Sequence, residues 1–288
     1  MTRAADPLAA GALGATLPPL LIAAERVAAT VAQGVHGRRR VGTGENFWQF
    51  RPFVAGDATA RIDWRRSARS DQLYLRETEW DAAQTLALWC QNDAAMAWRS
   101  DPALPTKAER AGLLALALAS LALRGGERIR LLDGANANAA GITAGNATLG
   151  LLAAALGRAG PGLPQVLPPA FSQIVLFSDF LDDPTAITAW LGQLTALPAR
   201  GLLVQVLDPA ETSLPYAGRV RFALPGGTLE TTIARVEAVR AAYRAKLAAH
   251  QESLRRLCAN AGFRLLIHQT DANPAPVLLA LHQALSGQ

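Results

Sequence analysis

The sequence predicts an α/β fold: a mostly parallel sheet held between helices, preceded by a small strand-rich extension. Two observations carry the body. Short, nearly continuous apolar runs recur at residues 85–90, 173–177 and 202–207, as strands buried on both faces require. Helix-length apolar stretches separate them, so each strand can return parallel to the last. A third observation sets the extension apart. Between Gly44 and Arg69 aromatic, acidic and basic residues alternate densely, while the rest is rich in Ala and Leu.

In chain order, Pro18-Pro19 is a helix-start signal. Leu20, Leu21, Ala24, Val27, Ala28 and Val31 then form one apolar stripe, which predicts a helix over 19–33 closed by Gly34. Residues 36–40 read as a basic turn. From 44 to 79 the pattern predicts short strands and turns, with a turn at Gly56-Asp57 and an alternating strand at 72–76. The predicted division is 1–40 for tail and helix, 41–80 for the strand-rich extension and 81–288 for the body. Within the body, strands are predicted at 85–90, 128–132, 173–177, 202–207 and 263–267. Helices are predicted at 107–123, 148–156 with Thr148 near its cap, 184–197, 229–260 and 274–285. Residues 215–227 read as a loop or hairpin.

The bulk properties narrow the classes. The chain has 288 residues, 50% of them hydrophobic and 18% charged, which is ample for a core and excludes general disorder. Net charge is +5. A modest basic excess suits nucleic acid, an anionic surface or an acidic partner, and it is also what an Arg- and Ala-rich composition produces. Cys90 and Cys258 sit in apolar contexts and read as buried free thiols. With no signal-peptide pattern, a cytoplasmic location is expected. Residues 7–24 are uncharged, but Gly11, Gly14 and Pro18-Pro19 interrupt them, so no membrane span is expected.

No catalytic constellation stands out. The four histidines, His36, His250, His268 and His282, show no ligand spacing. Ser178 lacks a nucleophile elbow. Asp182-Asp183 precedes Pro184 and reads as helix capping. Residues 38–40 are basic but come without a stacking platform. The predicted helix 229–260 carries Arg235, Arg240, Arg244, Lys246, Arg255 and Arg256. It reads as amphipathic on its own sheet, with a basic face that a partner could use.

Four pieces carry a family resemblance: Gly44-Glu-Asn-Phe with Arg51; Gly56-Asp57; Ile62-Asp-Trp-Arg-Arg-Ser-Ala-Arg69; and Arg76-Glu-Thr-Glu79. With Ser178-Asp179-Phe180 and residues 207–211 they resemble the DUF58 family over most of the chain from about Pro18. The resemblance implies a von Willebrand factor A-like, Rossmann-like body. It also implies company: a MoxR-type AAA+ ATPase and membrane proteins with von Willebrand A domains, acting together in assembly or activation of a client. Such bodies resemble metal-ion-dependent adhesion sites, which need Asp-x-Ser-x-Ser, a Thr and a further Asp. Aligned through Met96, those positions hold Gln91, Asp93 and Ala95, with Thr148 and Asp179 completing the set. Gln91 is a weak ligand and Ala95 none, so a degenerate site is expected, with no cofactor and no tight Mg²⁺ or Mn²⁺. Loose ion binding by Asp93 and Asp179 stays open.

The expected function is a non-enzymatic adaptor. A basic nucleic-acid-binding module and a metal-dependent hydrolase are the alternatives. Arg51, Asp57, Asp63, Trp64, Arg65 and Arg69 are expected to serve as a partner-binding or structural motif. Trp64 is expected to be mostly buried, and Asp63 to pair with an Arg or with backbone amides nearby.

Overall fold

The structure, a computed structural model, describes residues 22–32, 41–54, 62–69, 72–79, 84–132, 150, 152–154, 156, 162–194, 197, 200–223 and 230–286. The chain divides into two units, residues 35–83 and the remainder. The predicted turns at 36–40 and Gly56-Asp57, and the start of the predicted helix 19–33, lie outside the described residues.

In the first unit, β1 (Val41–Pro52) pairs antiparallel with β2 (Tyr74–Glu79), with Arg51 opposite Leu75 and Pro52 opposite Tyr74. The predicted strand at 72–76 is thus displaced: Gln72 and Leu73 precede β2, which runs on to Glu79. Two irregularities in the ladder, between Gly42 and Phe47 and between Phe47 and Gln49, let one long strand take the place of the short ones expected.

Residues 22–32 form α1, whose Ala24, Ala28 and Val31 are buried. The one-turn helix α2 (Trp64–Ser67) was not foreseen. Asp63 caps it, its Oδ1 accepting the Arg66 N–H at 2.9 Å. Ser67 Oγ donates to the Asp63 carbonyl at 2.7 Å and accepts the Tyr74 N–H at 2.9 Å, tying α2 to β2. The apolar contact comes from Ile62 bridging Leu75, both buried. Trp64, expected inside, is 64% exposed. A single turn offers one inward position, and Ser67 takes it. The expectation for Asp63 holds through a backbone amide.

In the body, β3 (Thr85–Cys90), β4 (Arg128–Leu131), β5 (Gln173–Ser178), β6 (Arg200–Leu207) and β9 (Phe263–Gln269) form one sheet in the order β4-β3-β5-β6-β9. Every neighbouring pair is parallel. The central strands are buried almost throughout, which is why their sequences read as continuous apolar runs. Helix α3 (Lys107–Arg124) opens with a reciprocal cap between Thr106 and Glu109. Residues 150, 152–154 and 156 belong to a short helix, α4, with Leu152 and Leu156 buried. Helices α5 (Pro184–Leu194), α6 (Pro209–Ser213), α7 (Val236–Asn260) and α8 (Pro274–Ser286) complete the body. Ala87, Trp89, Ile174, Leu176 and Leu203 of the sheet meet Ile187, Trp190 and Leu191 of α5 and Leu254 and Cys258 of α7 in one core. On α1, Glu25 accepts the Ser120 hydroxyl at 2.7 Å and pairs with Arg124.

Residues 230–233, predicted as the start of the long helix, instead form β8 (Glu230–Ile233), paired antiparallel with β7 (Val220–Ala223). Thr231, Thr232 and Ile233 are all β-branched and favour a strand, so α7 begins at Val236. Helix α5 ends at Leu194, earlier than expected. At the start of β6, a Cβ on Gly201 would lie 2.2 Å from the Ile174 carbonyl oxygen, so the sheet closes there only over glycine. Among the described residues no helix is long and apolar enough to cross a membrane. The candidate stretch 7–24 falls almost wholly outside them.

Candidate functional site

Numbered along the body alone, the strand order is 2-1-3-4-5. The chain leaves the first strand in one direction and reaches the third in the other, so the connections part between β3 and β5. Ligands of open parallel sheets bind beyond the carboxyl ends of strands at such a point. Gln91 and Asp93 follow β3 there, Ser178 and Asp179 close β5, and Asp208 closes β6.

These groups form a connected network. Gln91 donates through Nε2 to Asp93 Oδ2 at 2.7 Å and accepts the Ser178 hydroxyl at Oε1. Asp93 Oδ1 takes the Met96 N–H at 3.0 Å, closing the loop after β3. Ser178 Oγ accepts the Phe180 N–H at 2.9 Å, and Gln205 donates to the Asp179 carbonyl at 2.8 Å. His250 Nε2 lies 2.6 Å from the Phe180 carbonyl and donates to it, since a carbonyl can only accept. Phe180 itself has φ +47°, a left-handed backbone held by these bonds.

At the centre is a residue the sequence did not single out. Lys107, first in α3, is 2% exposed, and its Nζ lies 2.7 Å from Asp179 Oδ2 and 2.6 Å from Glu211 Oε1. Glu211 is fixed by a second duty: its Oε2 accepts the Asp208 N–H at 2.8 Å in the capping box of α6. Asp208 Oδ1 accepts the Ala210 N–H at 2.8 Å and its Oδ2 the Ser100 N–H at 2.9 Å. Burial disfavours the Lys107 ammonium, but Asp179 and Glu211 outweigh it and raise its pKa. One ammonium cannot neutralise both carboxylates in a dry site. Burial accordingly pushes Glu211 up in spite of Lys107. Exposed Asp182 is also raised, by partial burial and by the charges of Asp179 and Asp93, against a hydrogen bond from Gln91.

Asp182 therefore belongs to this cluster and not to the cap of α5. Asp183 alone serves that end, accepting the Thr185 N–H at 2.9 Å. The structure brings Gln91, Asp93, Ala95 and Asp179 to one place, and Thr148 lies outside the described residues. These positions do not fit a hard metal ion. Gln91 spends its amide on Asp93, Ala95 offers no ligand, and Asp179 presents one oxygen to Lys107 and the other to the Leu181 N–H at 3.2 Å.

The basic face of the long helix is partly consumed within the body. Arg240 donates to the Leu214 and Tyr216 carbonyls, Arg244 to that of Ser213, and Tyr243 to that of Glu211. Arg255 and Arg256 pair with Glu252. Cys90 and Cys258 are free and buried, and burial pushes both thiols up, Cys258 to about 12. In the unit 35–83, Arg51 donates to the Pro52 carbonyl at 3.2 Å. Arg65 and Arg69 line a cleft beside Asp63, and Asp57 lies outside the described residues.

Lys107 and Glu211 escape sequence reading because they lie 72 and 104 residues from their partners. One signal was available: Lys107 is one of only two lysines among 28 basic residues, and it opens a helix whose middle is strongly apolar. No curated protein matches the chain. The model of one family, described as "Protein of unknown function DUF58", matches residues 49–253, from within β1 through four of the five strands of the sheet and most of α7. The pieces around Arg51, Asp63 and Arg69 thus stand in one chain with the strand-end cluster because this protein belongs to the DUF58 family.

Proposed function

We propose that the protein is a non-enzymatic adaptor with a von Willebrand factor A-like body, receiving a partner at its strand-end face with no metal ion between them. The partners that suit the family resemblance are a MoxR-type AAA+ ATPase and a membrane protein with a von Willebrand A domain, met on the cytoplasmic side. Assembly or activation of a client would be the outcome. One observation supports this reading above the rest: the buried Lys107 ammonium takes up Asp179 and Glu211. Around it remain Asp93 and exposed Asp182 and Asp183, beside exposed Leu181. An acidic rim around an apolar residue suits a partner's Lys or Arg flanking an apolar anchor.

The test is biolayer interferometry between the immobilised chain and the MoxR-type ATPase of the same genome, free of nucleotide. Binding should persist in EDTA and weaken at least about tenfold in the variant combining Asp93→Lys with Asp182→Lys. Absence of binding, or equal binding by that variant, refutes the assignment.

A further inference from the structure

In the unit 35–83, an open cleft of about 490 Å³ is lined by Phe50, Asp63, Arg65, Arg66, Arg69 and Tyr74. Its basic groups are displayed, not consumed. The Arg66 guanidinium lies 4.6 Å from the Phe50 ring centre and 5.2 Å from that of Tyr74, so the two rings hold it while its edge stays open to a ligand. Arg65 and Arg69 are exposed and make no ion pair among the described residues. The one carboxylate in the lining, Asp63, commits Oδ1 to the Arg66 backbone amide and pairs with no guanidinium among the described residues. Trp64 heads the same helical turn, 64% exposed, and Leu73, just before β2, is 42% exposed.

The ligand is anionic, since three guanidinium groups converge on the cleft and their forks match carboxylate or phosphate oxygens. The surroundings favour carboxylates on a protein over a polyphosphate strand. Residues 35–83 carry nine arginines against seven Asp and Glu, a formal balance of only +2. That is a local positive spot, not the continuous stripe a nucleic acid neutralises. The Asp63 carboxylate at the wall penalises a second or third phosphate. Exposed Trp64 and Leu73 supply the apolar contact that peptide anchors use.

We propose that this cleft binds an acidic segment of a partner protein, setting two carboxylates against Arg65 and Arg69 and an apolar side chain against Trp64. This site is separate from the strand-end face and stands without it.

The test uses the full chain and a fluorescein-labelled peptide, Asp-Asp-Leu-Glu-Glu-Phe, read by fluorescence polarisation at low and high salt. The controls are the same peptide with Asn and Gln in place of Asp and Glu, and a short single-stranded DNA of mixed sequence. The acidic peptide should bind at least about tenfold tighter than its amide counterpart and weaken with salt. Arg65→Gln with Arg69→Gln should remove that preference at an unchanged melting temperature. The Asp93→Lys, Asp182→Lys variant should bind the peptide as the wild type does, which separates this site from the strand-end face. Equal affinity for the two peptides, no binding, or full binding by the double arginine variant overturns the proposal. Tighter binding of the DNA than of the acidic peptide overturns it in favour of nucleic acid. A wild-type dimer that the double arginine variant converts to monomer overturns it in favour of a second copy of this chain.

Discussion

Replacing Lys107 with Met tests whether a tethered ammonium holds the strand-end site together. Met keeps the length and apolar character of the stem, so packing changes little. What is lost is one charge, 2.7 and 2.6 Å from two carboxylate oxygens. The side chain of Asp179 is only 5% exposed and that of Glu211 16%, so water cannot replace the ammonium well. Removing one partner of a buried ion pair costs about 3–5 kcal/mol. For a protein of this size each kcal/mol moves Tm by about 2–4 °C, so a fall of roughly 6–20 °C is expected by calorimetry. The pH dependence gives the sharper signature. Burial already raises Glu211, and Lys107 is what opposes the rise. Without it the Glu211 carboxyl holds its proton still more tightly in the folded chain than in the unfolded one. Stability is then lost as pH rises through the folded pKa of Glu211 and regained as pH falls. The deficit of the variant against wild type should therefore shrink between pH 8 and pH 5. Millimolar Mg²⁺ should raise the Tm of the variant, whose carboxylates are free, and leave the wild type unmoved; titration calorimetry of the wild type should show no micromolar site. A Tm loss under about 2 °C, or an equal deficit at both pH values, refutes the reasoning.

Three further outcomes are expected. Asp63→Ala removes the cap of α2 and should cost about 0.5–2 kcal/mol in chemical denaturation, with Asp63→Asn retaining most of the stability; an unchanged midpoint for the alanine variant counts against the cap. Gly201→Ala would press a methyl against the Ile174 carbonyl and the Phe263 ring, costing about 1–3 kcal/mol or preventing folding, and a wild-type melt would show that β5 and β6 can part freely. Buried His268, lowered to about 4 by burial and by Arg110 against an opposing Asp271, stays neutral when folded; its contribution is present above the ordinary histidine range and is lost as pH falls from about 6.5 towards 4. His268→Phe should flatten that part of the stability curve, and an unaltered acid limb excludes His268 as its source.

The sheet was legible above all in its central strands, which are buried on both faces, so apolar continuity replaced alternation as the signal. Boundaries failed where one pattern ran into another. Glu230–Ile233 adjoins a long Ala- and Arg-rich stretch and was absorbed into the helix, although its β-branched run favours a strand. Trp64 failed for a different reason. A large ring usually finds cover, but a single helical turn gives only one inward position. At the candidate site, Gln91, Asp93 and Asp179 could be gathered because strand ends of a parallel sheet converge. Lys107 and Glu211 arrive from other elements, and only the folded chain brings them there.

Glu211 serves two masters with its two oxygens, the amide of Asp208 that caps α6 and the buried ammonium at the head of α3. Its own carbonyl accepts the Tyr243 hydroxyl from α7 at 2.6 Å, while Asp208 beside it takes the Ser100 amide. Glu211 and Asp208 together thus rivet three helices and the loop after β3 into a single stiff plate across the end of the sheet. Loop tips usually open one at a time, exchanging their amide protons independently. Here the amides of Ser100, Asp208 and Ala210 should exchange together, at one rate, because none of them can be released until the whole plate lifts.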